Sequence, residues 1–199
     1  MRASLVIALV LFATIISAGV NLTAVPHVAL ADRPLPTIGP APDFTLTAQD
    51  GAQVSLSRFH GRVAAVTFIY TRCTTKCPML TPTLSMVQDQ LGSDFGTHIV
   101  FFSITLDPVH DTPEALRLYA EAYGANLAGW TFLTGSPDAV RELAEGYGVV
   151  TLKNPNGEVE HSFLTSIVDR RGFLRVQYVG VQFDPREFKR DLLSQAKEY

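Results

Sequence analysis

The chain has 199 residues, with 16 basic and 19 acidic side chains and a formal charge of −3. There is no basic run and no positive excess, which excludes a nucleic-acid-binding surface. Beyond the amino-terminal leader described next, 168 residues remain, enough for one domain with a real core; without Arg2, 15 basic side chains there oppose 19 acidic ones, a formal charge of −4.

Met1-Arg2 is followed by an uncharged run from Ala3 to Pro26. Its most apolar part, Leu5 to Ile16, has the length of a signal-peptide core, and Ala29-Leu-Ala31 is an A-x-A cleavage site. The same segment also reads as an uncleaved anchor: the 18 residues Ala3 to Val20 approach the minimum that crosses the hydrocarbon layer, with Arg2 held on the cytoplasmic side. A buried core helix is the third reading. The first two export everything after residue 31, to the periplasm or the outer face of the inner membrane, and membrane contact follows if the leader is kept.

Residues 32–41, rich in proline, are expected to form an extended tether before a domain over 42–199. Phe44–Thr47, the turn Gln49-Asp-Gly51 and Gln53–Leu56 predict a hairpin. Val63–Ile69 is an uncharged strand. Leu80, Leu84, Val87 and Leu91 recur at helical spacing over Met79–Leu91, with Pro78 suited to the first turn and Pro82 a strain further in. His98–Thr105 is a second apolar strand, and Thr112-Pro113 caps and opens a helix ended by Gly124. Trp130–Leu133 is a third strand, and Ser136-Pro137 opens a third helix. Asn154–Gly157 is a turn. Ser162–Val168 and Phe173–Val179 form a hairpin about Asp169–Gly172, and Asp184–Glu187 launches the last helix. This βαβαβα order followed by a hairpin and a helix predicts an α/β fold: a mixed central sheet with helices on both faces, in a thioredoxin-like arrangement.

Cys73 and Cys77, the only cysteines, fall where the first central strand ends and the first helix begins. Free helix N–H groups, the positive end of the dipole, Arg72 and Lys76 are all expected there to favour thiolate over thiol. Residues i and i+4 share one helical face, and their sulfurs can approach to the distance at which one metal binds both. Soft thiolates select Cu(I) or Zn(II). A closed zinc site wants four ligands, and no second cysteine pair exists, so copper with two sulfurs and one imidazole fits the shortage. His161, after the Asn154–Gly157 turn and at the mouth of a strand, is the candidate third ligand. His110 is a candidate to face the same site from behind the ligands. His27 lies in the leader, His60 and His98 flank strands, and Asp107 and Asp111 read as turn and cap residues.

Phe68-Ile-Tyr-Thr-Arg-Cys-Thr-Thr-Lys-Cys-Pro-Met79, Ser103-Ile-Thr-Leu-Asp-Pro-Val-His-Asp-Thr-Pro-Glu-Ala-Leu116, and Val159-Glu-His-Ser-Phe163 before Val168-Asp-Arg-Arg-Gly172 occur in this order. Over about Pro42 to Tyr199 the chain thereby resembles the Sco/SenC family of membrane-tethered, thioredoxin-like copper proteins, which help assemble the dinuclear copper centre of cytochrome c oxidase. The resemblance implies that Cys73, Cys77 and His161 are ligands to one copper ion per chain. It also implies a copper-accepting oxidase subunit as partner, with another copper chaperone or a thioredoxin-like reductant as further partners. Thr74-Thr75-Lys76 stands where the family usually has Pro-Asp-x, and His110 where an arginine is common.

The reading is a copper metallochaperone holding its ion at an exposed rim. The alternative is a thiol–disulfide oxidoreductase in which Cys73 and Cys77 reduce client cysteines before metallation, without His161. A structural disulfide in a non-catalytic exported domain is the plainest reading of two cysteines. A peroxidase lacks its Pro-x-x-x-Thr-x-x-Cys pattern.

Overall fold

Val63–Ile69 (β4) and Ile99–Thr105 (β5) are buried at all seven positions each, as uncharged strands covered on both faces must be. The computed structural model that shows this describes residues 35–74, 76–153 and 159–198. The expected leader, His27, Thr75 and the Asn154–Gly157 turn lie outside the described residues.

Before the central strands come β1 (Gly39–Pro40), β2 (Thr45–Ala48) and β3 (Gln53–Ser55), then a 3-10 turn over Leu56–Phe59. After β4 come α1 (Cys77–Leu91), β5, α2 (Pro113–Ala122), β6 (Trp130–Thr134) and α3 (Pro137–Gly146). A small hairpin of β7 (Thr151–Lys153) and β8 (Val159–His161) follows, then β9 (Leu164–Val168), β10 (Phe173–Val179) and α4 (Pro185–Lys197). Among the described residues, eight strands form one sheet in the order β1-β10-β9-β4-β5-β6-β2-β3, and β7 and β8 pair separately. β4, β5 and β6 are parallel, joined by helical crossovers, while β9 lies antiparallel to β4 and β10 to β9.

Side chains alternate across β4. Val63, Ala65 and Ile69 pack with Leu80, Leu84 and Val87 of α1, Leu116 of α2 and Phe188 and Leu192 of α4. Ala64, Val66 and Phe68 face the other way, toward Val140 and Leu143 of α3. Helices therefore cover both faces of a mixed sheet, the thioredoxin-like arrangement that the element order predicts. Thr112 and Ser136 cap α2 and α3 by accepting from Ala115 and Ala139 N–H, and Asp184 caps α4 from Arg186 N–H.

Two segments differ from expectation. The proline-rich stretch is extended, but it is also paired: Ile38 N–H donates to Leu174 C=O and Ala41 N–H to Gly172 C=O, making β1 the sheet's edge, where proline is tolerated. The strand expected from Ser162 begins at Leu164, because Ser162 N–H is taken by Val150 C=O and Phe163 C=O accepts from Gly180 N–H. His60, flanking β4, rests against the hairpin turn at Gly172, whose φ of +86° and tight contact with the His60 ring both require glycine.

Candidate metal centre

β4 delivers Tyr70 at its end, and the chain turns at once: Cys73 N–H donates to Tyr70 C=O at 3.2 Å. α1 then opens at Cys77. The Cys77 N–H, which has no partner within its helix, donates to the Cys73 sulfur at 3.3 Å. One sulfur thus serves as cap to the helix that carries the other, and the i, i+4 pair shares one side as its spacing predicts. Both residues are thiols in this state.

The pair is not at an exposed rim. Cys73 is 7% exposed and Cys77 0%, because the first turn of α1 points inward among Leu80, Tyr119 and Ile69. The expectation of a thiolate fails for Cys77 for the same reason. Burial pushes its thiol well above the ordinary value; a backbone hydrogen bond from Tyr70 works the other way, and Cys73 and Asp111 add to the rise. The two nearby cations are engaged elsewhere. Arg72 pairs with Asp107 at 2.7 Å, and Lys76 Nζ lies 5.3 Å from the Phe163 ring centroid.

His161 ends β8, and its ring packs 4.0 Å from Phe163 and 5.9 Å from Tyr70, centroid to centroid. Its Nδ1 lies 3.1 Å from the Ser162 carbonyl. A carbonyl only accepts, so Nδ1 carries the proton and the lone pair is on Nε2. Among the described residues, that Nε2 is buried without a hydrogen-bond partner. Burial, with the charge of Lys76 in support, moves the ring below its ordinary pKa and keeps it neutral, against the opposing bond to Ser162. The fold therefore brings the two sulfurs together and lays His161 on Tyr70, whose backbone also bonds Cys77. Among the described residues, no three His, Cys, Asp or Glu side chains are drawn tightly enough to hold a metal.

His110 sits beside Asp107 and Arg72. It is exposed, with Nδ1 2.8 Å from Asp107 Oδ1 and 2.9 Å from Arg72 Nη2. Burial alone would raise the Asp107 carboxyl, but bonds from His110 and Arg72 outweigh it and hold it below its ordinary value. Asp111, read as a turn or cap residue, is fully buried. It accepts from Thr71 N–H at 3.0 Å, from Thr71 Oγ1 at 2.5 Å and from Thr105 Oγ1. The sole signal for this in the sequence was a second aspartate after the Asp107-Pro108 turn, which composition alone does not separate from a cap. Tyr119, another buried neighbour of the pair, bonds Thr81 at 2.8 Å.

Residues 36–197 match the family model described as SCO1/SenC. The SCO1 protein homolog of Bacillus subtilis (strain 168) is 34% identical over 158 residues, 77% of this chain and 79% of that protein. The solved structure of BsSco, described as a Sco-family cytochrome c oxidase assembly protein with a disulfide switch, aligns with a TM-score of 0.72. The two are 28% identical over 83% of this chain and 99% of that one. ScoI of Bradyrhizobium japonicum, solved with copper bound, aligns at 0.69 with 25% identity over 78% and 99%. The chain spans 36% and 55% of two plant mitochondrial relatives.

Proposed function

The chain belongs to the SCO1/SenC family, and from that membership we propose that it is an exported copper metallochaperone serving a respiratory oxidase. Copper is the cargo, one ion per chain, taken by the Cys73 and Cys77 sulfurs and by Nε2 of His161. The observation that carries this reading is the His161 ring: neutral, tautomer fixed by Ser162, and with a buried lone pair left unmatched among the described residues. A buried nitrogen without a partner costs free energy, and a soft metal beside two thiols offsets that cost. The solved relative with copper bound supports the choice of ion. Binding deprotonates both thiols, Cys77 against the burial that favours its protonated form, and draws His161 toward them, so uptake releases protons. Three donors leave a coordination position open, through which an oxidase subunit takes the ion by ligand exchange. The uncharged run Ala3 to Pro26 after Arg2 supports delivery outside the cytoplasm, in the periplasm or at the outer face of the inner membrane.

The reduced protein should bind one Cu(I) per chain in anaerobic competition against a chromogenic chelator, and His161→Ala should weaken binding at least tenfold. A stoichiometry near zero with both thiols shown to be reduced overturns the reading.

One observation favours a second reading. The Cys73 sulfur already touches the Cys77 N–H, and a disulfide switch is described for BsSco. As a thiol–disulfide oxidoreductase, the protein's dithiol would become a disulfide while a client disulfide becomes a dithiol. Cys73, the less buried sulfur, would attack first, with a thioredoxin-like reductant or another copper chaperone restoring the starting state. Client-peptide reduction that survives His161→Ala and is lost in Cys73→Ser favours this second reading over the first.

A further inference from the structure

A fully buried carboxylate is costly unless donors meet it, and Asp111 is met by three. Two come from Thr71 and one from Thr105, whose Oγ1 in turn accepts from Asp107 N–H at 2.9 Å. The local fold does not need this carboxylate. α2 is already capped by Thr112. The turn before it is closed by the backbone, with His110 and Asp111 N–H both donating to Asp107 C=O. What the carboxylate does is grip Thr71, two residues before Cys73 and inside the turn closed by Cys73 N–H on Tyr70 C=O. Its other partner, Thr105, ends β5, which pairs along all of β4.

We infer that Asp111 is the positioning residue of the cysteine pair: by clamping Thr71 to the end of β5 it fixes the Tyr70–Cys73 turn, and with it the distance between the two sulfurs. It acts through Thr71.

The consequence for copper rests on the metallochaperone reading; the consequence for disulfide formation does not. Asp111→Asn keeps size and one acceptor but loses the charge and the second acceptor. At a temperature where it is fully folded, it should bind Cu(I) at least tenfold more weakly. Its equilibrium with glutathione disulfide, in which the dithiol is oxidised as one glutathione disulfide becomes two glutathione thiols, should move at least threefold toward the dithiol. Thr71→Val, which keeps the backbone bond and removes the hydroxyl, should shift both readouts by less, and it carries the test if Asp111→Asn does not fold. Gln88→Ala is the control. Gln88 is buried in α1 and bonds Gly124 C=O and Asn126 N–H, so its loss lowers stability without reaching the cysteine turn, and both readouts should stay at the wild-type values.

Wild-type values in both readouts for Asp111→Asn, or for Thr71→Val where it stands in, overturn the inference, as does a Gln88→Ala shift as large as theirs. If wild-type protein binds no copper but the disulfide equilibrium still moves in Asp111→Asn, the metallochaperone reading falls and the positioning role stands.

Discussion

His161 bears one ring nitrogen that is bonded and one that, among the described residues, is buried and unmatched. Those two facts give opposite signs to the effect of removing it. His161→Leu loses the bond to Ser162, worth about 1 kcal/mol, and relieves a buried polar atom without a partner, worth about 1–3 kcal/mol in the other direction. The metal-free variant should therefore unfold in urea within about 1 kcal/mol of wild type or above it, while copper binding is lost. A drop of several kcal/mol would instead mark a histidine kept for structure. Residues that function selects at a cost in stability have this signature. The position of His161 in the sequence offered a candidate donor but no measure of it; that required the burial of Nε2, which depends on Tyr70 and Phe163 closing around the ring.

α1 shows what an element's sequence states and what it conceals. Leu80, Leu84, Val87 and Leu91 are all buried, as their spacing predicts, and the uncharged run before them is a central strand. Pro82, flagged as a strain, sits inside the helix on its exposed side. There it removes one ladder donor and crowds the carbonyl of Pro78. Replacing an interior proline by alanine gains up to about 3 kcal/mol in helix propensity and gives back about 1 kcal/mol through a freer unfolded chain. Pro82→Ala should thus raise the urea midpoint by the equivalent of roughly 1–2 kcal/mol, and an unchanged or lower midpoint would show that the proline supports the start of α1. The strands β7 and β8 were not legible, being three residues each and too short for any period to register. The buried state of the thiols was hidden for a different reason. A helix start favours thiolate and burial opposes it; the sequence locates the helix start, while burial is set by Tyr119 and Ile69, which are distant in the chain or come from another element. Asp111 belongs with the thiols, since its donors lie up to 40 residues away.

At the scale of the molecule, three distant parts of the chain meet on Arg175. This β10 residue is buried and lies where the pairing with β9 slips, between Leu174 and Val176. Its guanidinium donates to Asp169 at 3.0 Å, to Glu198 just past α4 at 2.7 Å, and to the carbonyls of Leu35 and Pro36. It thereby fastens the Leu35–Pro36 segment before β1, the β9–β10 turn and the carboxyl-terminal helix. Arg175→Met removes every one of those donors and leaves Asp169, 2% exposed, with a buried charge still faced by Arg171 and two backbone N–H groups but no longer by the Arg175 guanidinium. Breaking a buried pair from one side costs about 3 kcal/mol or more, so the urea midpoint of Arg175→Met should fall by that amount. Adding Asp169→Asn should restore part of it, because no uncompensated charge is then buried. The acid dependence has the matching sign. Burial alone would raise the Asp169 carboxyl, but Phe173 and Arg171 N–H and the Arg175 guanidinium outweigh it and hold it below its ordinary value. Its stabilising contribution is therefore complete above the ordinary carboxylate range, near pH 4, and drains away as the pH falls through the lower folded value. A urea series from pH 7 down to pH 3 should show wild type losing stability below about pH 4 and Arg175→Met losing less over the same interval, since the charge it fails to compensate is relieved by protonation. Equal acid slopes in the two proteins, or a single-variant loss under about 1 kcal/mol at neutral pH, would mean that the three segments are fastened by apolar packing and that Arg175 merely fills the space between them.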